Sequence, residues 1–219
     1  MATNEGHMSK LEAVNEMLLS IGESPVQSLA RGLGDAAVAE TLLDRTSREV
    51  QLRGWHVNTR RGTTISKNVD NQFALPVDTL KVDTSNPSSG RQSTRPTPSS
   101  SINAVMVRSA DNTKWLLYDA DNNSETWSTE TSLTVDIVKF LNFEHLTPAL
   151  QMFVWTKAAH RFQKGLMGSK VLYEFTREEV LEAEAHAVQE DADTEDLNIL
   201  RENAHVRSVV YRNNPGYNR

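Results

Sequence analysis

The side chains best placed by type and spacing to do chemistry are Glu182 and His186, four apart and so on one face of any helix that holds them. A carboxylate and an imidazole at that spacing could begin a metal site. No second histidine completes an H-E-x-x-H pair, however, and no third ligand can be identified, so a solvated pair is the simpler reading. "GLGDAA", Gly32 to Ala37, matches the G-x-G-x-x-A dinucleotide fingerprint. It lacks the context that fingerprint needs, because a Pro-containing loop precedes it instead of a buried strand, and Gly54 and Trp55 stand where an acidic residue should follow. There is no G-x-S-x-G elbow and no Gly-rich lysine motif of a phosphate-binding loop. The histidines form no sequence cluster, and the total absence of cysteine removes thiolate catalysis, Cys-based zinc sites and disulfides. No catalytic, cofactor-binding or metal-binding residue is assigned, and a non-enzymatic protein without cofactors is expected.

Charge points the same way. The chain of 219 residues carries a formal charge of −6, which argues against broad binding to nucleic acid. Lys170 to Leu200 holds ten acidic residues against Lys170 and Arg177, a local charge of −8, whereas Arg201 onward sets four arginines against Glu202, a local charge of +3. Such a reversal suits a basic segment that docks on something acidic, or simply a wet helix face followed by a frayed end. Carboxylates are numerous enough for a two-carboxylate glycosidase, but on a helix they normally form its solvated side. No apolar run approaches the roughly 20 residues of a membrane span, and "MATNEGHMSKLEAV" has neither the basic start nor the apolar stretch of a signal peptide.

The elements that would hold these residues can be read from capping and periodicity. Ser9 with Glu12 forms a capping box, after which Leu11, Val14, Leu18 and Ile21 share a face until Gly22 and Pro25 stop the helix. A second helix, capped by Asp35, carries Ala39, Leu42, Leu43, Thr46 and Val50 on one stripe and ends before Gly54. From Trp55 the hydrophobic period drops towards two, and "TLKVDT", "AVMVRS", "KWLLYDA" and "SLTVDIVKF" read as strands parted by the turns "SADNT" and "DADNN". Helix returns at Thr147 and Pro148, an N-cap and N1 pair, and Leu150, Phe153, Val154, Lys157, Ala158 and Phe162 continue it to Gly165 or Gly168. A last helix from about Ser169 to Ala192 is expected to bury Leu172, Phe175, Val180, Leu181 and Ala185.

The expected fold is therefore α+β, an antiparallel helical bundle (residues 1–54 and 146–219) with a β domain (55–145) inserted between its second and third helices. Gly54, Trp55 and Leu146 mark the domain seam. Within the insertion, 13 of the 17 residues from Ser85 to Ser101 are Ser, Thr, Pro or Gly, and such a composition predicts a mobile loop, with Arg91 and Arg95 able to order on a partner. At the far end, Val206, Val209, Val210 and Tyr211 lie among Arg201, Arg207 and Arg212, a mix of apolar and arginine groups of the kind that anchors interfaces. Val206, Arg207, Val209, Val210, Tyr211 and Arg212 are the candidate partner-binding residues.

Three blocks add a resemblance. "AVNEMLLSIGESPV" (Ala13 to Val26), "RGW" (Arg53 to Trp55) and "WTKAAHRF" (Trp155 to Phe162) resemble, in the same order, the matching blocks of the tail tubular protein A family. These are tail adaptors, or gatekeepers, of short-tailed double-stranded DNA bacteriophages. The likeness runs from about Leu11 to Asp193, apart from the segment around residues 85–101. It implies a structural virion protein in a homo-oligomeric ring of twelve copies, joining the portal protein to the tail nozzle protein (tail tubular protein B). DNA would pass through that ring on ejection without sequence-specific binding. Localisation would be the virion tail, after assembly in the host cytoplasm. An alternative is a tail component that also hydrolyses host surface glycan, with Trp115, Trp127 and Tyr118 stacking on sugars, although strand aromatics are more often core.

Overall fold

Ser9 starts the first helix in the way its spacing to Glu12 requires. The Glu12 N–H donates to Ser9 Oγ at 3.2 Å and the Ser9 N–H donates to Glu12 Oε2 at 2.7 Å, so both halves of the capping box form. The computed structural model describes residues 6–29, 34–83, 103–110, 112–128, 130–168 and 170–194. Among them are four helices, α1 (Lys10–Leu19), α2 (Asp35–Gln51), α3 (Pro148–Leu166) and α4 (Lys170–Thr194). Six strands, β1 (Thr59–Ser66), β2 (Phe73–Leu75), β3 (Thr79–Asp83), β4 (Ala104–Arg108), β5 (Trp115–Asp119) and β6 (Ser132–Lys139), form two antiparallel sheets. The class is α+β. Two compact units are present, one built from Met1–Asn58 and Phe140–Thr194 and the other around Thr59–Lys139.

In the helical unit, α1 buries Ala13, Val14, Met17 and Leu18, while Leu11 is only half-buried. Gly22 at φ 84 turns the chain out of the helix, where the Glu23 N–H returns to the Leu18 carbonyl at 3.0 Å. Asp35 does not cap α2 but is its first residue. The cap position belongs to Gly34, whose φ of 70 only glycine takes without strain, leaving the Asp35 carboxylate in the first turn, favourable to the helix dipole. At the other end α2 stops at Gln51, and Gly54 takes φ 81. Thr147 and Pro148 open α3 as cap and N1, yet the Thr147 hydroxyl does not bond the helix; it reaches Glu190 Oε2 on α4 at 3.2 Å.

The buried side of α4 departs from the expected one at Phe175, Leu181 and Ala185, while the Leu172 side chain lies outside the described residues. Thr176, Ala183 and Ala187 face inward with Val180 packed beside them, whereas Phe175 is 65% exposed, Leu181 55% exposed and Ala185 exposed. Apolar residues occur all round this helix, so periodicity could not choose the face. Small Ala side chains win because they let α4 approach α3 closely. The shared core gathers Val14, Met17, Leu43, Val50, Trp55, Phe143, Leu146, Phe153, Val154 and Phe162.

In the β unit, β6 is the middle strand of the order β1-β6-β3, and β5 is the middle of β2-β5-β4. Along β6, Leu133, Val135 and Ile137 alternate inward onto Phe73, Leu117 and Trp127. All four strands read from the period are present. β1 and β2 were not legible as strands: β1 has Ile65 as its one large apolar residue, with Gly62 at φ 62 where the register slips between Arg60 and Thr63. The "SADNT" and "DADNN" turns form with Asn112 at φ 57 and Asn123 at φ 50. In the second, the Asp119 carboxylate accepts from the Asn122 side chain at 2.7 Å and from the Asp121 and Asn122 N–H groups, which holds its pKa below the usual range despite burial.

Buried carboxamides close the helical unit. Gln51 is fully buried; its Nε2 donates to the Leu141 carbonyl at 2.9 Å and its Oε1 accepts from the Leu141 N–H at 2.7 Å. Gln51→Ala leaves both Leu141 groups without these partners, so a loss of about 3 kcal/mol is expected from the unmade bonds. Urea denaturation followed by circular dichroism measures it, with Gln189→Ala on the exposed side of α4 as a control expected within about 0.5 kcal/mol of the parent. A Gln51→Ala protein as stable as the control would contradict this account.

Candidate interaction surfaces

The residues singled out for chemistry are not brought together. His186 Nε2 stands 3.9 Å from Glu182 Oε1 with both side chains largely in solvent, 62% and 76% exposed. Among the described residues no three His, Cys, Asp or Glu side chains converge as metal ligands. Of the glycine motif, Gly32 and Leu33 lie outside the described residues, and Gly34 precedes α2 with no strand before it among the described residues. Trp127 is a core residue of the β unit. It is 2% exposed, edge-on to Phe73 at 5.5 Å between ring centroids, and its Nε1 donates to the Leu117 carbonyl at 2.9 Å. Trp115 is half-buried under the Arg108 guanidinium, 4.9 Å from the ring, and Tyr118 is half-buried.

The three residues expected at a seam sit at or in the helical unit's core. Gly54 turns the chain after α2, and Trp55, 2% exposed, packs edge-on against Phe153 at 6.3 Å while its Nε1 donates to the Val50 carbonyl at 2.8 Å. The Arg53 guanidinium covers the outer face of that indole at 4.9 Å and pairs with Glu184 at 3.1 Å. Leu146 is fully buried in the same cluster. Val206, Arg207, Val209, Val210, Tyr211 and Arg212 lie outside the described residues, as does the segment 85–101 with Arg91 and Arg95.

Ion pairs brace the helices from outside. Lys10 of α1 reaches Glu40 at 2.8 Å and Asp44 at 2.9 Å on α2; burial alone would lower its pKa, but the two carboxylates more than offset this and raise it. Arg161 of α3 grips Glu49 of α2 with two bonds of 2.7 Å, and Lys157 adds a third contact at 3.3 Å. On α3 His160 shares a 2.7 Å hydrogen bond with Thr176 of α4 and lies against Tyr173. Burial first, then Lys164, Arg161 and Arg177, hold it below its ordinary pKa. Beyond these pairs the outer side of α4 presents Glu174, Glu178, Glu179 and Glu182 together with Leu181 and Val188, all exposed. A signal for it was present, since α4 has more apolar residues than one buried stripe can use. This surface is acidic, partly apolar and uncovered by any described residue.

Comparison with known proteins fits this picture. A protein-family model described as Tail tubular protein matches residues 11–197. No curated protein matches the chain.

The Glu49 carboxyl, held by Arg161 first and Lys157 next, has its pKa lowered from 4.5 to about 2. A carboxylate lowered on folding stabilises fully above its unfolded pKa and loses that contribution as the pH falls through the folded one. With the Glu49 side chain 46% exposed, solvent screening limits the worth of the cluster to about 1 kcal/mol. Denaturation of Glu49→Gln at a series of pH values should show a deficit at pH 6 that shrinks steadily between about 4.5 and 2. A deficit that is constant across that window would rule out the ion pair as its source.

Proposed function

The chain belongs to the tail tubular protein family of phages, and from that premise we propose that it is a ring-forming adaptor joining the portal to the tail nozzle. As a member it is a structural component of the phage tail, assembled with other virion proteins. The observation that carries the adaptor reading is the extent of the match: residues 11–197 take in every described strand and all of the described helices but the first residue of α1, not one shared motif. In this reading the helices are the frame, a bundle (1–54 and 146–219) that lies beside its copies in a ring of twelve. The β unit, expected over 55–145 and compact over Thr59–Lys139, is an inserted domain that meets other tail parts, with Gly54, Trp55 and Leu146 on the helical side of the seam. The frame has the stiffness such a role needs, since caps, buried carboxamides and external ion pairs fix every described helix. The ring, as gatekeeper, lines the conduit for ejected DNA, and its net charge of −6 favours sliding over sticking because phosphates are repelled. The basic terminal segment with Val206, Arg207, Val209, Val210, Tyr211 and Arg212 docks on the portal or a neighbouring copy. In this reading the protein acts by assembly, in the host cytoplasm and in the virion, and not by hydrolysing glycan.

Negative-stain imaging of the purified chain, alone and mixed with portal, tests this. Rings of twelve that cap the portal are expected. Deletion of residues 206–219 should leave a folded, soluble protein that no longer joins the portal. Full-length chains that never associate with portal would overturn the adaptor reading; a truncated chain that attaches normally would remove only the docking role of the terminal segment.

A further inference from the structure

Two helices of the helical unit carry a second stripe that their own core does not use. On α4 the core takes Thr176, Val180, Ala183 and Ala187. At about 100° per residue, a line some 140° further round runs Glu174, Glu178, Leu181, Ala185, Val188 and Ala192, all exposed. On α2 the core takes Ala36, Ala39, Leu43, Thr46 and Val50, and the outward line is Val38, Thr41, Arg45 and Arg48, continued by Leu52 at the helix end, again all exposed. Both lines alternate steps of three and four residues, the spacing that keeps side chains facing a neighbouring helix. Neither is a stray apolar residue, for Leu181 is 55%, Val38 51% and Leu52 48% exposed.

We propose that these faces meet in a head-to-tail contact between copies of this chain, α2 of one copy lying along α4 of the next. The proposal rests on the self-assembly reading above and adds to it which surfaces join. Charge selects the pairing. The α2 line is basic at its centre, where Arg45 has no ion-pair partner among the described residues and Arg48 lies over the Phe140 ring at 5.6 Å. The α4 line is acidic at its start, where Glu174 and Glu178 likewise lack ion-pair partners among the described residues. Register agrees: at roughly 1.5 Å per residue, Leu52 lies about 8 Å beyond the midpoint of the two arginines, and Leu181 about 8 Å beyond that of the two glutamates. Running the helices parallel thus sets arginine on glutamate and Leu52 on Leu181 together.

Like-with-like pairing fails on the same grounds. Two α2 faces bring four arginines together, and two α4 faces set carboxylates against each other or against Val188 and Ala192. Both faces belong to one copy, and α3 packs against both helices. Each contact therefore leaves one α2 face and one α4 face open, and the arrangement must close into a ring or continue as a filament.

Charge reversal and its rescue test the assignment on the full chain by sedimentation velocity. Arg45→Glu with Arg48→Glu, and separately Glu174→Arg with Glu178→Arg, should each weaken self-association by at least roughly tenfold through like-charge contact. Combining all four substitutions should restore it, which a merely unfolded variant could not do. Reversed chains that assemble like the parent, or a fourfold variant that stays as weak as either half, overturn these faces while leaving assembly intact. A parent chain that remains monomeric at every concentration overturns both these faces and the assembly reading on which they rest.

Discussion

The helical unit depends on amide side chains standing in for backbone. Gln51 bonds both the N–H and the carbonyl of Leu141, as a neighbouring strand would, and Gln151 does the same for Met8, at 3.0 and 3.1 Å, while also reaching the Phe143 carbonyl. Asn15 treats Val26 likewise, and Asn58 ties the Trp55 N–H to the Gln51 carbonyl. Each lies where irregular chain meets a helix and backbone groups have no periodic partner. A buried polar group without a partner is costly, and a carboxamide offers a donor and an acceptor at the right separation to satisfy both. Because Gln51 and Leu141 are ninety positions apart, the two sequence halves of this unit are joined by hydrogen-bond geometry as well as by packing.

That dependence explains where sequence reading succeeds and where it stops. Ser9, Glu12, Thr147 and Pro148 act locally, through the orphan groups of a helix end, so their meaning is present in a few consecutive residues. β3 to β6 were legible for the same reason, each having alternation and flanking turns of its own. β1 had no such pattern; it is a strand because β6 is beside it, with Thr63 opposite Val135 and Ile65 opposite Leu133. A glutamine at position 51 or 151 carries no mark of the carbonyl it will meet. α4 failed differently: with apolar residues on opposite sides, only the shape of α3 could decide that Ala183 and Ala187 go inward and Leu181 stays outside.

The surfaces were less legible than the frame. Motif reasoning read Glu182 and His186 as a solvated pair from local spacing, and both side chains are largely in solvent. It left Trp127 open as a sugar platform, and the structure puts that indole in the β core with its N–H satisfied. Interaction faces have no motif; they become visible only once the core has claimed its own residues and the remainder can be seen to line up.

One pairing in the β unit sets how that unit bears load. Thr59, its first residue, lies opposite Val138, next to its last, so the chain enters and leaves at one corner of the β1–β6 ladder. Tension drawn through those two ends falls on the hydrogen bonds there one at a time, in peeling. The same ladder pulled along its length would resist with all its bonds at once. The weak direction of this unit is thus fixed at its own threshold, and β3, whose Thr79 lies opposite Lys139 on the other flank of β6, shares the pull at that same end.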